Sequence, residues 1–98
     1  MIGDLLEDTP SVRVLDFVLN TTLPDFSKSD VKRACLISWL LTERTIDRFA
    51  KLGLIQTTRQ ISRATMYSAN KDSELYKSLV ELANTIHDKK PRAKEGLR

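Results

Sequence analysis

Arg44 and Arg48 lie one helical turn apart within a run of apolar residues at helical spacing, so they leave the same side of one helix. A guanidinium there can hold O6 and N7 of a guanine through two parallel hydrogen bonds. Trp39, Leu40, Glu43 and Asp47 occupy further outward positions of the same segment. Glu43 could accept from a cytosine amine, or simply pair with Arg48 or Lys51. Trp39 could touch thymine methyls or sugar, but its size favours packing into the domain or an interface. Trp39, Leu40, Glu43, Arg44 and Arg48 are the candidate base-contacting set. The plain alternative is a charged helix face laced with ion pairs. If Trp39, Leu40 and Leu41 shared an exposed patch, that patch would suit a protein partner better than DNA.

A second group could grip a phosphate backbone. Ser27, Lys28, Ser29 and Lys32 open a short helix whose first amides and lysine favour an anion, although Asp30 weakens that field. Arg33 and Lys51 add cations on either side. Arg59 and Arg63 flank a turn among Thr57, Thr58, Gln60 and Ser62, a composition suited to backbone or minor-groove contact. Charge on such a hairpin would also protect its edge from aggregation. The candidate backbone-contacting set is Ser27, Lys28, Lys32, Arg33, Lys51, Arg59 and Arg63.

Catalytic chemistry finds little material. The chain has one Cys, one His and three Gly, too few for a structural zinc site or a Gly-rich phosphate loop. Cys35 lies on an apolar helix face and reads as a small core residue. No enzyme activity, cofactor or metal is expected.

The elements that must position these residues follow from caps and periodicity. Thr9-Pro10 opens a helix whose Val12, Leu15, Val18 and Leu19 keep helical spacing, with Val14 and Phe17 widening the apolar face. Ser27 with Asp30 resembles a capping box and starts a two-turn helix, with Val31, Ala34 and Cys35 inward. Leu36-Ile37-Ser38 forms a turn, with Ser38 capping a helix over 38–52 that Gly53 ends. Ile37, Leu41, Thr45, Phe49 and Leu52 line its inner face, flanked by Leu40 and Ile46. Two short strands within 54–68 surround "RQISRA", which lacks Asn-Gly or Asp-Gly and so predicts a loose loop. Residues 2–6 form an extra turn or an arm toward a partner subunit.

A last helix over about 73–86 carries two apolar stripes. Leu75, Leu79, Leu82 and Ile86 form one, and Tyr76, Val80 and Ala83 the other. One stripe suffices for the domain, so two suggest a subunit interface. Leu75, Tyr76, Leu79, Leu82, Ala83 and Ile86 are the candidate dimer residues. Residues 87–98 are basic and poor in apolar residues, and are expected to be disordered.

Ninety-eight residues make one small domain, with a core modest enough for dimerisation to help. The net charge of +3 is unevenly spread. Residues 28–63 carry eight basic and three acidic side chains, whereas residues 1–27 carry one basic and five acidic. The excess falls where the candidate contacts lie, as a nucleic-acid-facing side requires. No apolar run approaches a membrane span, the N-terminus lacks signal-peptide character, and a single Cys fits a reducing cytoplasm.

The segments "TPSVRVLDFVL", "FSKSDVKRAC", "IS" and "TIDRFAKLGLIQTTR" resemble small archaeal winged helix-turn-helix regulators of the MarR/ArsR-like superfamily. The resemblance spans about residues 9–86. It implies a transcription regulator, dimeric through its terminal helices, with DNA reading early in the helix 38–52. That family usually has Gly where Leu36 stands, so Leu36 must take the turn without glycine's freedom at positive φ. Trp39, Leu40 and Leu41 stand where the family tends to place polar residues.

The expected protein is therefore mainly α with a small β-hairpin. It has a three-helix core, a wing and a C-terminal helix, with residues 1–86 as the domain and 87–98 as a tail. It is expected to bind double-stranded DNA as a cytoplasmic homodimer, reading the major groove with 38–52 and touching backbone or minor groove with the wing 54–68. The alternative is a winged-helix module that binds a protein partner. Salt-sensitive affinity from the tail is also expected.

Overall fold

The computed structural model describes residues 2–89. A 3-10 turn, Ile2–Asp4, precedes three helices: α1 (Pro10–Asn20), α2 (Lys28–Cys35) and α3 (Trp39–Lys51). Strands β1 (Ile55–Ile61) and β2 (Ala64–Ala69) form an antiparallel hairpin, and α4 (Glu74–Lys89) follows. This is the winged helix-turn-helix expected from the sequence, with three helices, a wing and a C-terminal helix.

Local capping chemistry sets the helix boundaries. The Thr9 hydroxyl accepts from the Val12 amide and Pro10 fills the first turn of α1. At α2 the capping box is complete: Ser27 Oγ accepts from the Asp30 amide, and the Asp30 carboxylate accepts from the Ser27 amide. Leu36 ends α2 at φ 57°, the left-handed region, so the residue standing in for glycine does take the strained turn conformation. Ser38 caps α3 through the Leu41 amide. Gly53 follows α3 at φ 76°, where a side chain would be strained.

The core gathers Val14, Val18, Phe26, Val31, Cys35, Ile37, Ile46, Phe49, Leu54, Ile55 and Tyr67. Phe26 is fully buried, packs edge-on to Phe17 at 5.2 Å, and exchanges two backbone hydrogen bonds with Tyr67. It thereby ties the α1–α2 loop to the wing. Ile2 is also buried, and the Asp16 carboxylate accepts from the Ile2 and Gly3 amides. Residues 2–4 are thus a turn docked on their own domain.

Four expectations need correction. The inner face of α3 is Thr42, Thr45, Ile46 and Phe49, while Leu41 and Leu52 are exposed. Burial of Ile46 rotates the inner stripe away from them, because residues three and four apart share a helix face. Ala34 is exposed, and Val31 and Cys35 alone are buried along α2. The wing tip is a tight two-residue turn rather than a loose loop: Ile61 pairs with Ala64, and Ser62 supplies positive φ. Helix α4 continues through Lys89, so residues 87–89, expected in the tail, are helical. Residues 90–98, the rest of that expected tail, lie outside the described residues.

Candidate nucleic-acid interface

Helical geometry sorts the side chains of α3 once its inner face is known. Opposite Thr42, Thr45, Ile46 and Phe49 runs an outward strip of Leu40, Arg44, Asp47 and Lys51. Trp39 and Glu43 turn toward the wing, where they border a groove of about 530 Å³. Ser27, Lys28 and Ser29 at the start of α2 form another wall, and Ile61, Ser62 and Arg63 of the wing tip a third. The first turn of α3 and the wing tip therefore face one cleft, as the domain order predicts.

The outward strip is cationic because Arg44 and Lys51 outnumber its one anion, Asp47. Lys28 Nζ lies 3.4 Å from Asp47 and 4.0 Å from Glu43, bridging α2 to α3. Arg44, Lys51, Arg63 and Lys32 make no side-chain hydrogen bond or ion pair among the described residues. Arg44, Lys51 and Arg63 are exposed, and Lys32 is half-buried.

Several residues grouped by sequence are separated by the fold. Arg48 turns toward α1, donates to the Ser11 hydroxyl at 2.8 Å and lies over the Phe49 ring. Arg44 and Arg48 therefore do not act as one free pair, and Glu43 pairs with Lys28 rather than with Arg48 or Lys51. Lys28 is committed between two helices, and Arg33 is paired with Asp30 at 2.8 Å. The Ser27 hydroxyl is occupied as a cap. Trp39, expected to pack, is 44% exposed, beside Leu40 at 56% and Leu41 at 37%.

Arg59 does not project from the wing. A register shift between Thr57 and Arg59 marks a bulge, and the Arg59 guanidinium donates to both oxygens of Asp25 at 2.7 and 3.3 Å. The Thr58 hydroxyl donates to the same carboxylate. Asp25 was not singled out in the sequence, since nothing local marks it: its partners lie 33 and 34 residues away. The bond from Arg59, assisted by Thr58, holds the Asp25 carboxyl below the ordinary carboxylate range. With a lowered folded-state pKa, the latch is present above the unfolded chain's value of about 4 and is lost as pH falls through the depressed one. Asp25→Asn is expected to speed amide exchange along 57–65 at neutral pH, read by hydrogen-exchange mass spectrometry. Unchanged exchange there would refute the latch.

Arg13 was likewise unassigned. It pairs with Asp8 and donates to the Cys35 carbonyl, joining α1 to the end of α2. Burial pushes the Cys35 thiol up, which disfavours the reactive thiolate. Among the described residues no group of three or more His, Cys, Asp or Glu side chains could hold a metal ion, and no helix is long and apolar enough to cross a membrane.

The expected dimer stripe is split. Tyr76 and Leu79 pack against the domain core, whereas Leu75 and Leu82 are exposed and Ala83 and Ile86 are half-buried. The 3-10 turn contacts α4, and the residues just after it, Leu5 and Leu6, are exposed.

A helix-turn-helix and a two-stranded wing around a shared cleft define the winged helix-turn-helix class. No protein-family model matches the chain, and no curated protein does. Solved structures do resemble it in fold. A predicted DNA-binding transcriptional regulator from E. coli is 20% identical with TM-score 0.59, covering 87% of each chain. A MarR family regulator from Neisseria meningitidis is 20% identical with TM-score 0.62 over 90% of this chain. ZitR from Lactococcus lactis, a mutant in apo form, is 14% identical with TM-score 0.58 over 90% of this chain. The chain spans 63% and 62% of the length of the latter two.

Proposed function

We propose that this protein is a DNA-binding transcriptional regulator whose α3 enters the major groove while its wing tip meets the backbone or minor groove. The observation that carries this reading is the outward strip of α3, where Arg44 and Lys51 are unpaired while the one anion, Asp47, is paired with Lys28. Arg63 stands across the cleft on the wing. Arg44 would contact bases, and Lys32, Lys51 and Arg63 phosphates. The DNA-binding and regulator descriptions of the structurally similar proteins support the same use. Arg48, Lys28, Arg33 and Arg59 would instead hold the reading surface in place through their own partners.

The functional unit would be a homodimer. Its proposed interface is the exposed row of Leu75 and Leu82 on α4, with Leu5 and Leu6 beside the 3-10 turn. Burying this surface against a second copy would extend a core that is small for one chain. The setting, by the sequence resemblance, would be an archaeal cytoplasm.

The test is a salt titration on a mixed-sequence duplex, with sedimentation of the free protein alongside. Three phosphate contacts give an expected slope of log affinity against log salt of about −3 for each protomer. A dimer in sedimentation completes the expected result. Absence of binding at low salt would remove the DNA reading. It would favour the second reading, a protein-docking module, which the exposed Leu36, Trp39, Leu40 and Leu41 support. A monomer at all concentrations would remove the dimer.

A further inference from the structure

We infer that this surface recognises thymine methyl groups in the major groove, with Leu40 and Trp39 as the apolar readers. The inference rests on the DNA reading above and names the chemistry of its target. At the start of α3 almost nothing is left to read bases by hydrogen bonding. The Ser38 hydroxyl accepts from the Leu41 amide, and the Ser38 carbonyl accepts from the Thr42 hydroxyl. Thr42 is fully buried, and Glu43 is held against Lys28. Between Ser38 and Arg44 the outward surface is therefore Trp39, Leu40 and Leu41, with the indole N–H as its one side-chain donor.

Exposed apolar groups at that place cost hydration unless something apolar covers them. In a major groove the apolar feature of a base edge is the C5 methyl of thymine. Charge complementarity selects nucleic acid as the occupant. The apolar tip is bordered by unpaired Arg44 and Arg63, and Lys28 offsets one of the two carboxylate charges nearby, Glu43 and Asp47. A polyanion that carries methyl groups satisfies both halves of this surface. Leu40 heads the same outward strip as Arg44, so a methyl on Leu40 and a guanine on Arg44 would lie about one helical turn apart, roughly 6 Å.

The experiment selects duplexes from a random-sequence library with the full chain. The enriched duplex is then made with thymine and with uracil, which removes only the methyl. Leu40→Ala and Trp39→Ala are measured on both, and circular dichroism confirms that each variant is folded. Binding by the unaltered protein should weaken about four-fold for each methyl contacted. Leu40→Ala and Trp39→Ala, each truncated at an exposed site, should each lose part of that difference. If the enriched sequence binds equally well with uracil, methyl reading is wrong while the DNA reading stands. If uracil weakens binding but both variants keep the full difference, the methyl acts through DNA shape and these residues are not its readers. If no duplex is enriched at all, both readings fall, and loss of self-association in Leu40→Ala would then assign the patch to protein contact.

Discussion

Phe26→Ala is expected to remove about 3–5 kcal/mol of folding stability, the largest effect of any single substitution discussed. Phe26 is fully buried, meets Phe17 edge-on at 5.2 Å, and ties the α1–α2 loop to Tyr67 of the wing. Truncation removes its apolar contacts and leaves a cavity between two elements that the backbone bonds to Tyr67 keep in place. The loss of the aromatic pair adds roughly 1 kcal/mol of that cost. Since a small domain is stable by only about 5–15 kcal/mol, the variant should sit close to its unfolding threshold. Urea unfolding followed by far-UV circular dichroism measures the shift in midpoint. A loss below about 1 kcal/mol would mean that the cavity collapses and that Phe26 is not a keystone of the core.

Arg44→Ala is expected to cost about 1–3 kcal/mol of discrimination at one base pair, with little change in non-specific affinity. Arg44 is the exposed arginine of α3 without a partner among the described residues, and it occupies the middle of the outward strip. Arg63→Ala, at the wing tip, should behave oppositely. It should weaken binding to all duplexes alike and lower the salt slope by about one. Competition between the enriched duplex and mixed-sequence DNA separates the two outcomes. If Arg44→Ala weakens every duplex equally, Arg44 is a phosphate contact and the base-reading assignment is wrong. Arg48→Ala should show a third pattern, because Arg48 bonds Ser11 and stacks near Phe49. It acts on the seating of α3 against α1 before it acts on DNA.

The parts that were legible in the sequence share a physical trait: their causes lie within a few residues. Ser27 with Asp30, Ser38, Gly53 and Thr9-Pro10 each satisfy or end a helix through neighbours three or four positions away, and all four act in the structure as read. The strain at Leu36 was equally local, since a turn of that length needs a positive φ whichever residue fills it. The wing tip escaped because its tightness comes from strand pairing. Ser62 tolerates the left-handed region once Ile61 and Ala64 are in register, although no Asn-Gly announces it. On α3, helical spacing put Phe49 on one stripe with Leu41 and Leu52 and left Ile46 at its flank, although a stripe centred on Ile46 and Phe49 fits the same sequence. Only contact with the other elements chose the second.

The amino-acid sequence by itself determined the order of elements, the caps of the first three helices, the burial of Cys35 and the concentration of positive charge between Lys28 and Arg63. These depend on periodicity, capping and composition, which act along the chain. The tertiary structure alone decided which of those charges are available. Asp25 claims Arg59, Ser11 holds Arg48, and Glu43 with Asp47 shares Lys28. These partners come from other elements and cannot be paired by spacing, because such a contact forms wherever two side chains meet in space. What remains after that pairing is an apolar tip at Trp39 and Leu40 beside the free Arg44. Its meaning depends on the rotation of one helix, and that rotation was set by the burial of Ile46 and Phe49 on the opposite side.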